Sequence, residues 1–146
     1  MLTDGERLLL EEARHGVLAT IATDGRPRIV PFVFAAFTGR SKSLVLYSAL
    51  DEKPKSVSDP RSLARVRDIL ERPRVSVLVE RWSEDWSQLA WLRLEGQATL
   101  LEPGDEHTRA VALLRERYTQ YASHNLEPRP VLRIGVERAV SWGVDK

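Results

Sequence analysis

Residues 17–37, VLATIATDGRPRIVPFVFAAF, decide the fold. Val17 to Thr23 is rich in β-branched and apolar residues. It stops at Asp24-Gly25, a dipeptide that supplies the positive φ of a tight two-residue hairpin turn. Ile29 to Phe37 reads as the return strand. Pro31 lies inside it with no N–H to give a ladder, so an edge or a bulge belongs there. Thr38 to Ser43 is a second turn and Leu44 to Ser48 a third strand, completing an antiparallel meander.

Toward the N-terminus, Thr3 and Glu6 have capping-box spacing. Leu9, Leu10 and Ala13 recur at helical spacing before Gly16, which predicts a helix over about residues 4–14. Toward the C-terminus, Ala49 to Ser62 is polar and proline-containing, a loop by composition. Asp59-Pro60 places an N-cap before a proline at the first helical position, so a helix should follow to about Glu71. Leu63, Val66, Ile69 and Leu70 form its apolar stripe, and Pro73 ends it. Val75 to Glu80 is a fourth strand and Leu89 to Leu101 a long fifth, with Gly96 predicting a bulge or bend. Asp105 to Ala122 is a helix with Ala110, Leu114, Tyr118 and Tyr121 on one face. Val131 to about Trp142 is the last strand. The order α-β-β-β-α-β-β-α-β is mostly β, of the α+β class. An antiparallel sheet in so short a chain tends to curl into a barrel, which removes exposed edges.

The chain has 146 residues, enough for one domain spanning 1–146 and a real core. Hydrophobic residues make up 42% and charged residues 29%, ordinary globular usage. With 22 basic and 21 acidic residues the net charge is +1, without the basic excess of a nucleic-acid reader. The absence of cysteine excludes disulfides, thiolate metal sites and a cysteine nucleophile, and fits a reducing cytoplasm. Acidic residues interrupt the N-terminal segment at once, unlike a signal peptide, and no apolar run is long enough to span a membrane.

His15, His107 and His124 stand apart from one another, so no metal site is expected. Neither a G-x-S-x-G elbow nor a G-x-G-x-x-G or phosphate-binding P-loop motif occurs. Two stretches stand out. In residues 48–55, SALDEKPK, lysines follow a strand end beside Ser48. Such a lysine can hold a phosphate as a point charge, with Arg28 and Arg65 adding to the cluster. The same composition also describes a solvated charged loop. In residues 82–91, WSEDWSQLAW, three of the four tryptophans lie together. Either they cover a flat apolar partner or ring, or they fill the core.

The element order, the hairpin ATIATDGRPRIVPFVF, the loop LYSALDEKPK, and the segments ILERPRVSVLVE and DWSQLAWLRLEGQATLLE together resemble the pyridoxamine 5′-phosphate oxidase-like split β-barrel superfamily. The likeness runs from Glu11 to Trp142 and is greatest to the branch of deazaflavin (coenzyme F-420)-dependent oxidoreductases. It implies a homodimeric antiparallel split barrel with flanking helices and two cofactor sites, each built from both chains. On that resemblance the backbone of Val30, Pro31 and Phe32 lies along the flavin ring. Lys53, with Lys55 close behind, holds the phosphate, and Tyr47 and Ser48 add polar contacts. Trp86, Gln88 and Trp91 of the partner chain close over the cofactor. Pyridoxamine phosphate oxidases proper carry a longer C-terminal region that contacts the substrate phosphate, which argues against that substrate here. Many relatives have Asn-Pro where this chain has Arg72-Pro73.

The implied activity is hydride transfer to an unidentified small molecule, with the cofactor carrying the chemistry and no side chain assigned as catalytic acid or base. An FMN-dependent oxidoreductase is the alternative, since the lysine loop serves either cofactor. The long acidic tail of the deazaflavin needs a basic exit groove, which Arg61, Arg65 and Arg67 can line. A haem or other cofactor carrier and a plain dimeric interaction domain are the non-enzymatic alternatives.

Overall fold

The computed structural model describes residues 1–50 and 63–145. Helix α1 (Asp4–Glu12) leads into strands β1 (Gly16–Ile21), β2 (Pro27–Phe32), β3 (Ala35–Thr38) and β4 (Leu44–Ala49). Helix α2 (Ala64–Glu71) precedes β5 (Arg74–Arg81) and β6 (Ala90–Leu101), and α3 (Asp105–Arg117) precedes β7 (Val131–Trp142). The strands form one seven-stranded antiparallel sheet in the order β2-β1-β5-β6-β7-β4-β3.

The return strand expected over 29–37 is two strands at opposite edges of that sheet, joined only by Val33 and Phe34. Such a link reaches no more than about 10 Å, so the sheet must curl until its edges nearly meet. β2 and β3 do not pair, and the barrel stays split. Polar groups of the link therefore find side chains instead. The Ser48 hydroxyl donates to the Val33 carbonyl at 2.8 Å, and the Phe34 amide donates to the Tyr118 hydroxyl at 3.2 Å. Pro27 and Pro31 sit on β2, where an edge tolerates a missing N–H.

The β1–β2 hairpin closes through three residues rather than the expected two. Gly25 N–H donates to the Ala22 carbonyl and Ala22 N–H to that of Arg26, both at 2.8 Å, with Gly25 at φ +87°. The expected irregularity at Gly96 is present, but the extra residue is Glu137 on β7. Glu95 faces Arg138 while Gly96 faces Val136. A Cβ at Gly96 would run into the Gly135 carbonyl, so the two backbones touch there.

Leu18, Phe34, Leu46, Val77, Leu92 and Ile134 fill the barrel, joined by Leu9 and Leu10 of α1 and Ile69 of α2. The capping box at Thr3 and Glu6 forms, and the second Glu6 oxygen accepts from the Ser141 hydroxyl of β7 at 2.6 Å. Helix α2 begins at Ala64; Asp59 and Pro60 lie outside the described residues. Its buried face is Val66, Asp68 and Ile69, whereas Leu70, expected in the stripe, is 60% exposed. Helix α3 ends at Arg117, five residues earlier than expected. A 3₁₀ turn then keeps Tyr121 buried. Among the described residues, no helix is long and apolar enough to cross a membrane.

A second core lies between α3 and the outer side of β3 and β4, where Ala35, Val45 and Tyr47 meet Ala110, Val111 and Leu114. Alternate β4 side chains enter the two cores, so its six residues are all buried. At the polar end of this layer Glu106 Oε2 accepts from the Tyr47 hydroxyl at 2.7 Å and from Arg133 Nε at 2.8 Å. Burial raises the Tyr47 phenol above its ordinary value, and the bond to Glu106 raises it further. Burial opposes ionisation of Glu106, but Arg133 and Tyr47 outweigh it and leave that carboxyl below its usual range.

Gly25→Val should destabilise the protein by about 1–2 kcal/mol in urea denaturation. No atom stands within 4 Å of the new Cβ, so the cost is left-handed backbone strain alone. A variant as stable as the wild type would remove the turn assignment. Tyr47→Phe should cost about 1 kcal/mol at neutral pH. A phenol whose pKa rises on folding stabilises below its unfolded value near 10 and loses that contribution as pH climbs through the folded one. The wild-type advantage over Tyr47→Phe should therefore shrink in strong alkali, and stability measured across pH 8–12 checks it.

Candidate functional site

Among the described residues, the three α-helices leave one face of the sheet bare. Leu18, Val77 and Leu92 point into the barrel, so Val17, Ala19, Leu78 and Trp91 point out, together with Ile29 of β2. These residues, with Ser76, Val77, Glu80 and Arg93, line an open trough of about 510 Å³. Its floor is apolar, and Ile29 is 71% exposed. Beyond Trp91 the trough meets a second hollow lined by Trp82, Leu89 and Trp142. Trp142 lies directly opposite Trp91 in the β6–β7 register, so three of the four tryptophans, Trp82, Trp91 and Trp142, gather at one end of the bare face. Trp82, Trp86 and Trp142 are 65%, 70% and 47% exposed in the single chain. They do not fill its core, one of the two roles the sequence left open.

At the opposite side of this face runs edge strand β2. Val30 and Phe32 face inward opposite Leu18 and Gly16, and the Phe32 ring stacks beside that of Phe34 at 5.3 Å. Pro31 is exposed on the outer face. Arg28 is held at the barrel end. Its Nε donates at 2.7 Å to Asp68 Oδ2 on α2, and its side chain stays 43% exposed. Arg65, half-buried, lies three residues before Asp68 and so on the same side of α2. Arg28 thus stands on a rim beside the start of β2, with Arg65 on the adjoining side of α2, and guanidinium groups are donors suited to a phosphate.

The remaining expected residues fall in three places. Ser48 is buried and occupied with the Val33 carbonyl, next to the end of β2. Tyr47 points the other way, into the layer beneath α3, with its hydroxyl on Glu106. Lys53 and Lys55 lie outside the described residues. Trp86 and Gln88 form an exposed 3₁₀ turn after Asp85. The hydroxyl and amide of Ser87 hold the Asp85 carboxyl below its ordinary value and fix that turn. Three strand spacings, roughly 14 Å, separate Trp91 on β6 from β2 in one chain.

Asp68, Thr20 and Trp142 were not singled out by sequence reasoning. Thr20, 3% exposed, donates its hydroxyl to the same Asp68 oxygen at 2.8 Å. The available signal was an aspartate set between Val66 and Ile69 on the buried side of α2.

The sequence pattern of the family described as pyridoxamine 5′-phosphate oxidase matches residues 2–143. No curated protein matches. Solved structures share the fold. The conserved hypothetical protein Rv2991 from Mycobacterium tuberculosis is 22% identical, with 99% of this chain and 86% of that one covered at a TM-score of 0.73. A heme binding protein from Mycobacterium smegmatis is 20% identical at a TM-score of 0.73. There the match covers 96% of this chain but only 53% of the relative. An FAD-binding protein from Mesorhizobium loti is 22% identical, with 96% and 94% covered at a TM-score of 0.63. With its curled antiparallel sheet split between β2 and β3, and a family pattern matched from residue 2 to residue 143, the chain belongs to the pyridoxamine 5′-phosphate oxidase family.

Proposed function

We propose that the protein is an oxidoreductase that binds the deazaflavin coenzyme F-420 and serves hydride transfer to a small molecule. FMN is the alternative cofactor on the same site. The observation that carries this reading is the pair of arginines, Arg28 and Arg65, on the rim where edge strand β2 meets α2. A phosphate needs charge-assisted donors, and a flat ring needs an open strand edge beside them. The family resemblance adds Lys53 and Lys55 as phosphate-holding residues. Arg67, exposed on another side of α2, adds a further positive charge to that helix, which favours the longer acidic tail of the deazaflavin. Haem would need an axial ligand, and no histidine lines the trough.

When bound, the cofactor supplies the two-electron hydride chemistry. The chain's own residues bind and shield it. Arg28, Arg65 and Lys53 hold the phosphate, and the backbone of Val30, Pro31 and Phe32 supports the ring. The apolar trough excludes water.

A second copy of the chain completes the site in this reading. Trp91 lies three strand spacings from β2 in its own chain, and the bare face between them is apolar enough to be covered by a partner. Two copies packed on this face bring the tryptophan end of each near the arginine rim of the other.

Titration of purified protein with F-420 and with FMN, followed by absorption and calorimetry, tests the cofactor. Binding of FMN alone selects the alternative, and binding of neither overturns the reading. Lys53→Ala should weaken the phosphorylated cofactor by about 1.5–3 kcal/mol, roughly ten- to a hundred-fold, with the melting temperature of the empty protein unchanged. Unchanged affinity would remove Lys53 from the site. Sedimentation at micromolar concentration should give a dimer. Ile29→Glu places a charge that water solvates in a lone chain but that a packed face must bury, so it should yield folded monomer. A wild-type monomer would end the shared-site proposal.

A further inference from the structure

Arg28 stands on an edge strand with nearly half of its side chain exposed, where a long cation ordinarily samples many rotamers. Asp68 removes that freedom. Its carboxylate is 2% exposed and sits on the buried face of α2. One oxygen accepts Arg28 Nε–H at 2.7 Å and the Thr20 hydroxyl at 2.8 Å. Thr20 lies directly opposite Arg28 in the β1–β2 register, so helix and hairpin meet at this oxygen. Arg72 adds a second tie, donating to the Ala22 carbonyl at 2.7 Å near the turn of the same hairpin. With Nε engaged, the four N–H groups on the two Nη atoms stay in a fixed plane, suited to a phosphate.

We propose that Asp68 is a positioning residue, which fixes the Arg28 guanidinium so that its Nη groups meet the cofactor phosphate. This rests on the reading of Arg28 as part of the phosphate site. The sign of the effect separates positioning from simple charge. A carboxylate near a phosphate repels it, so on charge alone removal of Asp68 would tighten binding. If Asp68 orders Arg28, removal loosens binding, because the arginine must then be immobilised by the ligand itself.

The test titrates wild type, Asp68→Ala, Asp68→Asn, Arg28→Ala and the Asp68→Ala/Arg28→Ala double variant. The probes are F-420 or FMN, whichever the wild type binds, and the corresponding phosphate-free deazariboflavin or riboflavin. Melting temperatures are recorded alongside. Asp68→Ala should bind the phosphorylated probe about ten-fold more weakly, leave the phosphate-free probe unchanged, and add nothing in the Arg28→Ala background. Asp68→Asn, whose amide oxygen still accepts from Nε, should recover most of the loss. Should Asp68→Ala not fold, Asp68→Ser, too short to reach Arg28, replaces it. Equal or tighter binding of the phosphorylated probe, an equal loss for the phosphate-free one, or additive losses in the double variant would each overturn the positioning role. Undiminished affinity in Arg28→Ala, or a wild type that binds neither cofactor, instead overturns the reading of the site, and with it this one. A loss in Arg28→Ala without one in Asp68→Ala sinks the positioning role alone.

Discussion

Val33 and Phe34 carry the chain from one edge of the sheet to the other, and their short reach sets the curvature of everything else. An open twisted sheet would leave these edges far apart. Here the link forces them together without a ladder between them, so its polar groups must be satisfied by side chains instead of ladder partners. Tyr118 does this at the end of α3. Its hydroxyl accepts from Phe34 N–H and from Arg117 Nε, and lies 2.9 Å from the Phe34 carbonyl and 3.1 Å from that of Arg14. Arg14 donates to the Arg117 carbonyl at 2.8 Å, and Arg117 to the Ala13 carbonyl. The seam therefore fixes where α3 lies, and ties the exit of α1 to it.

With α3 committed to β3 and β4, and with α1 and α2 contributing side chains to the barrel core, no helix among the described residues remains for the outer face of β2, β1, β5 and β6. That face carries Ile29, Leu78, Trp82, Trp91 and Trp142, a larger apolar area than isolated exposed side chains would make. Its sides are charged, with Arg93 on Glu95 at 2.9 Å and Arg138 reaching the same carboxylate at 3.8 Å. A polar rim around an apolar floor is the arrangement of an interface. The strand order that closes the barrel is thus also what leaves a surface for association and puts the arginine rim along one side of it.

Much of the fold was legible because the strands alternate. Val75 to Glu80 and Leu89 to Leu101 show the period of two that burial confirms. The break at Val33 was not legible, because IVPFVFAAF is apolar throughout and a two-residue crossing has no composition of its own. Gly25 announced its positive φ, but the loop length depended on which backbone groups closed the turn. Tyr118 and Tyr121 keep helical spacing although α3 stops before them, since a 3₁₀ turn buries both as well as a helix would. For the site, the residue types of β2 and of the tryptophan run were visible. Their separation across three strand spacings was not, because it depends on the order in which strands pair. Tyr47 illustrates the limit of local reading. It neighbours Ser48 in sequence, yet strand alternation sends the two to opposite sides of β4, one to the seam and one beneath α3.

Asp68 shows why the rim repays close attention. A carboxylate at 2% exposure loses most of its hydration, and a paired buried charge is often no more stabilising than an apolar side chain of similar size. Val66 and Ile69 already supply apolar contact on that side of α2, so a third apolar residue would have joined the hairpin to the helix by packing alone. Such packing would restrain neither the Thr20 hydroxyl nor Arg28. The ion pair directs as well as joins, since a guanidinium held through Nε has its plane set by the carboxylate. Stability alone therefore does not account for an aspartate here. What accounts for it is the orientation of the one arginine that β2 extends toward the rim.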